Sequence, residues 1–215
     1  IEMIPKVDLS VADFEDQVIN ELQLIDHRPG TPYTSAKALA VDDQGRVYMA
    51  RGDGIQIWDA DLGLGGSPVA GTEGTGTIQP QFTLTGLNDS RGVALTREGV
   101  ADTLVMYVSD SGDDTLERYE LTENAGSVTG ATRKGFGTNA TASANGELVL
   151  PGASKPIGLE VAPDGTIWIA DQSAGQVYRV NPDGTFPSPS SVSVTGAFYV
   201  AFDGNTALVS NGGGT

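Results

Sequence analysis

The sequence predicts an all-β chain, a β-propeller of antiparallel blades. Three observations carry that prediction: apolar residues recur at every second position, Asp-Gly corners cut the runs, and the whole unit repeats. Residues 155–185, KPIGLEVAPDGTIWIADQSAGQVYRVNPDGT, contain the full pattern. An alternating run meets Asp-Gly, a second and more apolar run follows, a polar break intervenes, and a third run ends at Asp-Gly again. Short alternating segments joined by such corners are hairpins, because Gly supplies the positive φ that a tight reversal needs.

Aligned on this unit, the chain shows four copies, at 35–61, 90–122, 154–184 and, incompletely, 195–215. Their starts lie 55, 64 and 41 residues apart, close to the roughly 40–50 residues of a propeller blade once loops are allowed for. The first strand is the alternation Ala38-Ala40, Val93-Leu95, Ile157-Leu159-Val161 or Tyr199-Ala201, usually followed by a polar corner at Gly45, Gly165 or Gly204. The second is more apolar, at Val47–Met49, Leu104–Val108, Ile167–Ile169 and Ala207–Val209. The third, IQIWDA, TLERYEL or QVYRVN, alternates apolar with polar residues and has one solvated face. Residues 62–80 and 123–147, built from Gly, Ala, Ser, Thr and Asn, are expected to be surface loops.

The last copy stops after its second strand, and ELQLIDHRPGTPYTS (21–35) matches QVYRVNPDGTFPSPS (176–190) in length and pattern. The N-terminal strands would then complete the last blade, giving a four-bladed ring closed in this way, or the chain would form part of a six-bladed ring. Residues 1–20 are read as an N-terminal arm and 21–215 as the propeller domain or segment.

With 28 Asp and Glu against 12 Lys and Arg, the net charge is −16, which disfavours nucleic acid and anionic lipid as partners. No apolar run is long enough to span a membrane, and no cysteine is present to form disulfides or thiolate sites. A start at Ile1 fits a processed, exported chain, so an extracellular or periplasmic location is expected.

The pattern at 156–171, PIGLEVAPDGTIWIAD, resembles NHL-repeat propellers and the related six-bladed group that includes virginiamycin B lyase and the gluconolactonase/senescence-marker family. The resemblance covers about residues 21–61 and 90–215 and implies that lead-in segments and the turns after the second strands meet on one face, around a central channel. In that register, Asp110, Asp171 and Asn211 ring one end of the channel, with Asp53 displaced by a shorter loop. The lead-ins carry Ser35, Ser90, Ser154 and Thr195.

Converging hard oxygens suit Ca2+, which tolerates irregular coordination, so these four residues are the candidate metal ligands and Ca2+ the candidate cofactor. Gluconolactonases hold a divalent ion with Glu, Asn and Asp, the Asn lying in a Pro-Asn-Gly lead-in. Here that segment reads Pro156-Ile157-Gly158, and no Glu opens the first copy, which counts against lactone hydrolysis. The competing reading is that Asp after the second strand caps the turn by accepting backbone N–H bonds.

No complete catalytic set is present. His27 lies on an expected outer turn, away from any triad or lyase role, and Asp110–Asp114 lacks the twelfth-position carboxylate of an EF-hand. The Gly-rich 71–76 lacks the Lys-Ser/Thr of a phosphate loop. Trp168 is read as inter-blade core, Trp58 as partly exposed, Arg133-Lys134 as solvated loop, and Asn88 and Asn139 as sequons in loops. These features favour an exported, non-enzymatic propeller that binds or scaffolds a protein or glycan through its loop faces. A calcium-dependent lactonase-like hydrolase and a structural subunit of an extracellular layer or filament are the alternatives.

Overall fold

The computed structural model describes residues 36–58, 80–136, 145–152 and 155–212. Among them there is no helix, and each repeat folds as one antiparallel blade. The first blade contains β1 (Ala38–Val41), β2 (Val47–Ala50), β3 (Gly52–Trp58) and the start of β4 (Phe82–Glu98), whose Phe82–Thr85 pairs with Gly54–Ile57. The remainder of β4, from Ser90, turns into the second blade and pairs with β5 (Thr103–Asp110). Next comes β6 (Thr115–Asn124), with the fourth position shared by β7 (Ser127–Arg133) and β8 (Glu147–Val149). The third blade is β9 (Pro156–Val161), β10 (Ile167–Asp171), β11 (Gln176–Val180) and β12 (Ser191–Ser193). The fourth consists of β13 (Ala197–Asp203) and β14 (Thr206–Asn211).

The segment 123–147, expected to be a loop, instead carries β7 and β8. Positive φ at Ala125 (51°) and Gly126 (87°) makes a two-residue hairpin corner, and Val128 enters the core. Turn chemistry, not apolar content, builds that strand. Arg133, expected in a solvated loop, ends β7 in ion pairs with Glu117 (2.7 Å) and Glu147 (3.1 Å). The arm 1–20, the segment 21–35 with His27 and Ser35, loop residues 62–79, Ser154 and the Asn139 sequon lie outside the described residues.

Alternation along each strand sends side chains to opposite blade faces, and the core is accordingly three inter-blade layers. Tyr48, Ile55 and Ile57 of the first blade meet Leu104, Met106 and Val108 of the second. Val105, Tyr107 and Leu116 meet Leu159, Ile167 and Ile169. Ala170 and Val177 meet Ala197 and Val200, where Trp168 lies edge-on to Phe202 at 5.5 Å and is inter-blade core as expected.

Innermost strands approach closely. A Cβ on Gly92 would sit 2.2 Å from the Ile157 carbonyl oxygen, and one on Gly158 would sit 2.5 Å from that of Phe198. The corners also repeat: Asp42, Ala162 and Asn181 each donate an N–H to the residue four ahead and accept one from Gly45, Gly165 and Gly184, all at positive φ. Tyr199 Oη donates to the Lys37 carbonyl at 2.7 Å, linking the fourth blade's innermost strand to the first blade.

Gly92→Ala and Gly158→Ala should each lower stability by about 1–3 kcal/mol in denaturant titrations, because backbone would have to move apart. A second test concerns Glu160 on β9, whose carboxyl is raised above its usual value by burial, against the pull of the Val161 N–H. A raised folded-state pKa means that the charged form destabilises the fold at neutral pH, and this cost disappears as the pH falls through the raised value. Glu160→Gln should therefore melt higher than wild type at pH 7, with the gap narrowing as the pH falls through the raised value and closed once it is below the usual 4.5.

Candidate functional site

Asp110 ends β5 and is fully buried. Its carboxylate accepts three backbone N–H groups, from Asn88 (2.7 Å), Asp89 (2.8 Å) and Gly112 (2.9 Å). Asp171, equally buried at the end of β10, accepts from Lys155 (3.1 Å) and Ala174 (2.8 Å). Each carboxylate thereby ties the lead-in of its blade to the turn after the second strand. This is the turn-capping role that short acidic side chains fill where backbone donors lack partners.

The other two candidates differ. Asn211 is exposed at the end of β14 opposite Ala197, and there the Gly212 N–H bonds directly to the Gly196 carbonyl at 2.8 Å. Asp53 is exposed within β3, at the bulge where Gly52 and Gly54 pair with β4. The residue that follows the second strand of the first blade is Arg51. So Asp110 and Asp171 share one role, Asn211 holds the same strand position without it, and Asp53 stands outside the set. Among the described residues, no group of three or more His, Cys, Asp or Glu is disposed to hold a metal ion.

Serines join the blades around these latches. Ser90, fully buried, accepts the Gly52 N–H (3.1 Å) and donates to the Gly54 carbonyl (3.1 Å). Ser109 Oγ donates to the Ile157 carbonyl (2.5 Å), and Ser111 Oγ to that of Pro156. On the same lead-in side, Asp89 pairs with both Lys37 (3.4 Å) and Arg91 (2.8 Å), and Lys155 Nζ donates to Gln172 (3.0 Å). Asn88 donates its amide to Asp113 (3.0 Å).

Sequence reasoning missed the charge network on the opposite face. Arg46, 1% exposed, bridges Asp42 and Glu123 at 2.5 Å each and donates to the Gly126 carbonyl. Arg97 adds Asp43 (2.9 Å) and Glu123 (3.1 Å). Burial opposes ionisation of Glu123, yet the Arg46 and Arg97 hydrogen bonds win and hold its carboxyl below the usual range. The clue available in the sequence was an arginine four residues after Asp42, just past the Gly45 corner. Its partner across the blade boundary carried no local signal.

No protein-family profile matches the chain, and no curated protein matches it. Solved structures do. A gluconolactonase from Xanthomonas campestris aligns at 16% identity over 86% of this chain and 57% of its own, with a TM-score of 0.54. A putative gluconolactonase aligns at 17% identity over 82% and 54%, with a TM-score of 0.52. Virginiamycin B lyase from Staphylococcus aureus aligns at 15% identity over 84% and 50%, with a TM-score of 0.51. The chain spans about half the length of these structures, and the likeness shows the fold, a β-propeller.

Removing the latches should cost stability. Asp110→Ala removes the buried carboxylate that accepts three backbone N–H groups, a loss on the order of 2–3 kcal/mol in the unfolding free energy. Asp53→Ala, at an exposed position, should stay within about 0.5 kcal/mol of wild type.

Proposed function

We propose that this propeller is an exported, non-enzymatic module that binds or scaffolds a protein or glycan through its loop faces. The observation that carries this reading is the engagement of Asp110 and Asp171: both are fully buried and hydrogen-bonded to the backbone around them. A hydrolase built on a channel ion needs carboxylate oxygens directed at the ion and open to a metal-bound water. Carboxylates that cap turns support a rigid scaffold whose variable loops do the recognising.

The face opposite the lead-ins suits that role. Ile57 pairs with Phe82, so the first blade's outer pair, β3 and β4, meets at this face. The β6–β7 corner reaches the first blade on this face, with the Val128 N–H donating to Gln81 (2.9 Å), Gln44 donating to Glu123 and Arg46 to the Gly126 carbonyl. The Arg46 network anchors that corner on the first blade. Charge selects among partners: at −16 the surface repels nucleic acid and favours neutral glycans or proteins with basic patches.

Calorimetric titration with CaCl2, and melting curves with and without EDTA, test the reading against metal-dependent hydrolysis. The expected result is no tight calcium binding and no shift in melting temperature. Tight binding that is lost in Asp110→Asn and Asn211→Ala would instead support a lactonase-like site with Asp110, Asp171 and Asn211 as ligands. Replacing residues 62–79 with a short Gly-Ser linker should abolish partner retention on a glycan array or an affinity column while leaving the melting temperature unchanged.

A further inference from the structure

Two asparagines in the chain are followed directly by glycine, at Asn145-Gly146 and Asn211-Gly212, and both asparagines are exposed. Such a pair carries its own chemistry, because glycine has no Cβ to shield its backbone nitrogen from the neighbouring amide carbon. The fold treats the two differently. The Gly212 N–H donates to the Gly196 carbonyl at 2.8 Å, the same bond that the Ser111 and Gln172 N–H groups make to the Asp89 and Lys155 carbonyls in the second and third blades. That nitrogen is held within its blade. Gly146 sits in the turn ahead of β8 at a φ of 80°, its carbonyl accepts the Arg118 N–H at 2.9 Å, and among the described residues its own N–H meets no acceptor.

We infer that Asn145 is a site of spontaneous deamidation and that its isoaspartate product loosens β8. The Gly146 nitrogen attacks Asn145 Cγ, forming the C–N bond of a succinimide as the Cγ–Nδ2 bond breaks and ammonia leaves with the proton of the attacking N–H. Water then opens the ring at either carbonyl. One opening gives aspartate, and the other gives isoaspartate, whose main chain runs through Cγ and is longer by a methylene. β8 begins just beyond Gly146, and the turn has no slack to absorb the addition: a Cβ on Gly146 would lie only 2.4 Å from the Lys134 carbonyl oxygen. The strand pairs Glu147 with Glu117, Leu148 with Leu116 and Val149 with Thr115, and this register keeps Leu148 buried and Val149 exposed. The site belongs to the second blade and holds or fails independently of the partner reading above.

Ageing the full chain at mildly alkaline pH, native and in denaturant, tests the inference, with peptide mapping by mass spectrometry to follow both Asn-Gly pairs. In denaturant the two should convert at similar rates. In the folded protein Asn145 should keep most of its denatured rate, whereas Asn211 should fall roughly fivefold or more below its own, because the Gly212 hydrogen bond must first open. Hydrogen exchange should then be faster in the aged protein at the β8 amides and unchanged at β14. Asn145→Gln, whose larger imide ring closes slowly, should keep β8 exchange constant through ageing. Asn145→Asp carries the new charge without the extra methylene and should exchange at β8 like fresh wild type. The inference is overturned if folding slows Asn145 as much as Asn211, or if the aged protein exchanges at β8 like the fresh one. An Asn145→Asp variant that exchanges at β8 as fast as the aged protein also overturns it, since charge and not the lengthened main chain would then be the cause.

Discussion

Neighbouring blades are held at a distance that only an absent Cβ permits. At Gly92 and Gly158, the innermost strand of one blade lies against the backbone of the next. That approach brings two of the three inter-blade layers into contact, those between the second and third and the third and fourth blades, and places Ser109 and Ser111 within reach of carbonyls on the following blade. Since apolar burial is the main favourable term in folding, the spacing of blades decides how much of it is realised. The Asp110 and Asp171 latches then fix how each blade's lead-in meets the turn beside it. Removing a latch leaves backbone donors stranded, whereas removing a glycine forces the layers apart.

Electrostatics complement this packing. An acidic chain repels itself, and its arginines are placed where that repulsion would otherwise open the structure. Arg46 and Arg97 hold carboxylates from both the first and second blades, while Arg118 holds Glu98 and Glu120, and Arg133 holds Glu117 and Glu147. A buried arginine satisfied by two carboxylates is costly to disrupt from one side only, since the remaining charges lose their partner in a poorly solvated place. The network therefore secures register between blades more than it adds net stability.

The two-residue periodicity and Asp-Gly corners revealed the blades because both are local: Ile167-Trp168-Ile169 alternates faces, and Gly165 turns the chain, whatever lies elsewhere. The strand at Ser127–Arg133 escaped, since its composition is that of a loop and only the Ala125-Gly126 corner marks it. Asp110, Asp171 and Asn211 do end second strands, but their roles were not legible, because an Asp that caps a turn and an Asp that binds an ion look alike until its acceptor geometry is seen. Asp53 shows the limit of aligning by residue type, since the structural counterpart at that place is Arg51. Pairings across blades, such as Arg46 with Glu123, join positions far apart in the chain and leave no short-range trace.

The 17-residue strand β4 is the outer strand of one blade and the innermost strand of the next. A chain continuous through two sheets cannot be cut or lengthened there without damaging both, so these two repeats inherit insertions and deletions as a pair. The turn between β10 and β11 belongs to one blade alone and carries no such restriction. Modularity in this molecule is therefore uneven: an evolving lineage, or a designer exchanging repeats, can trade the third unit singly but must move the first and second together.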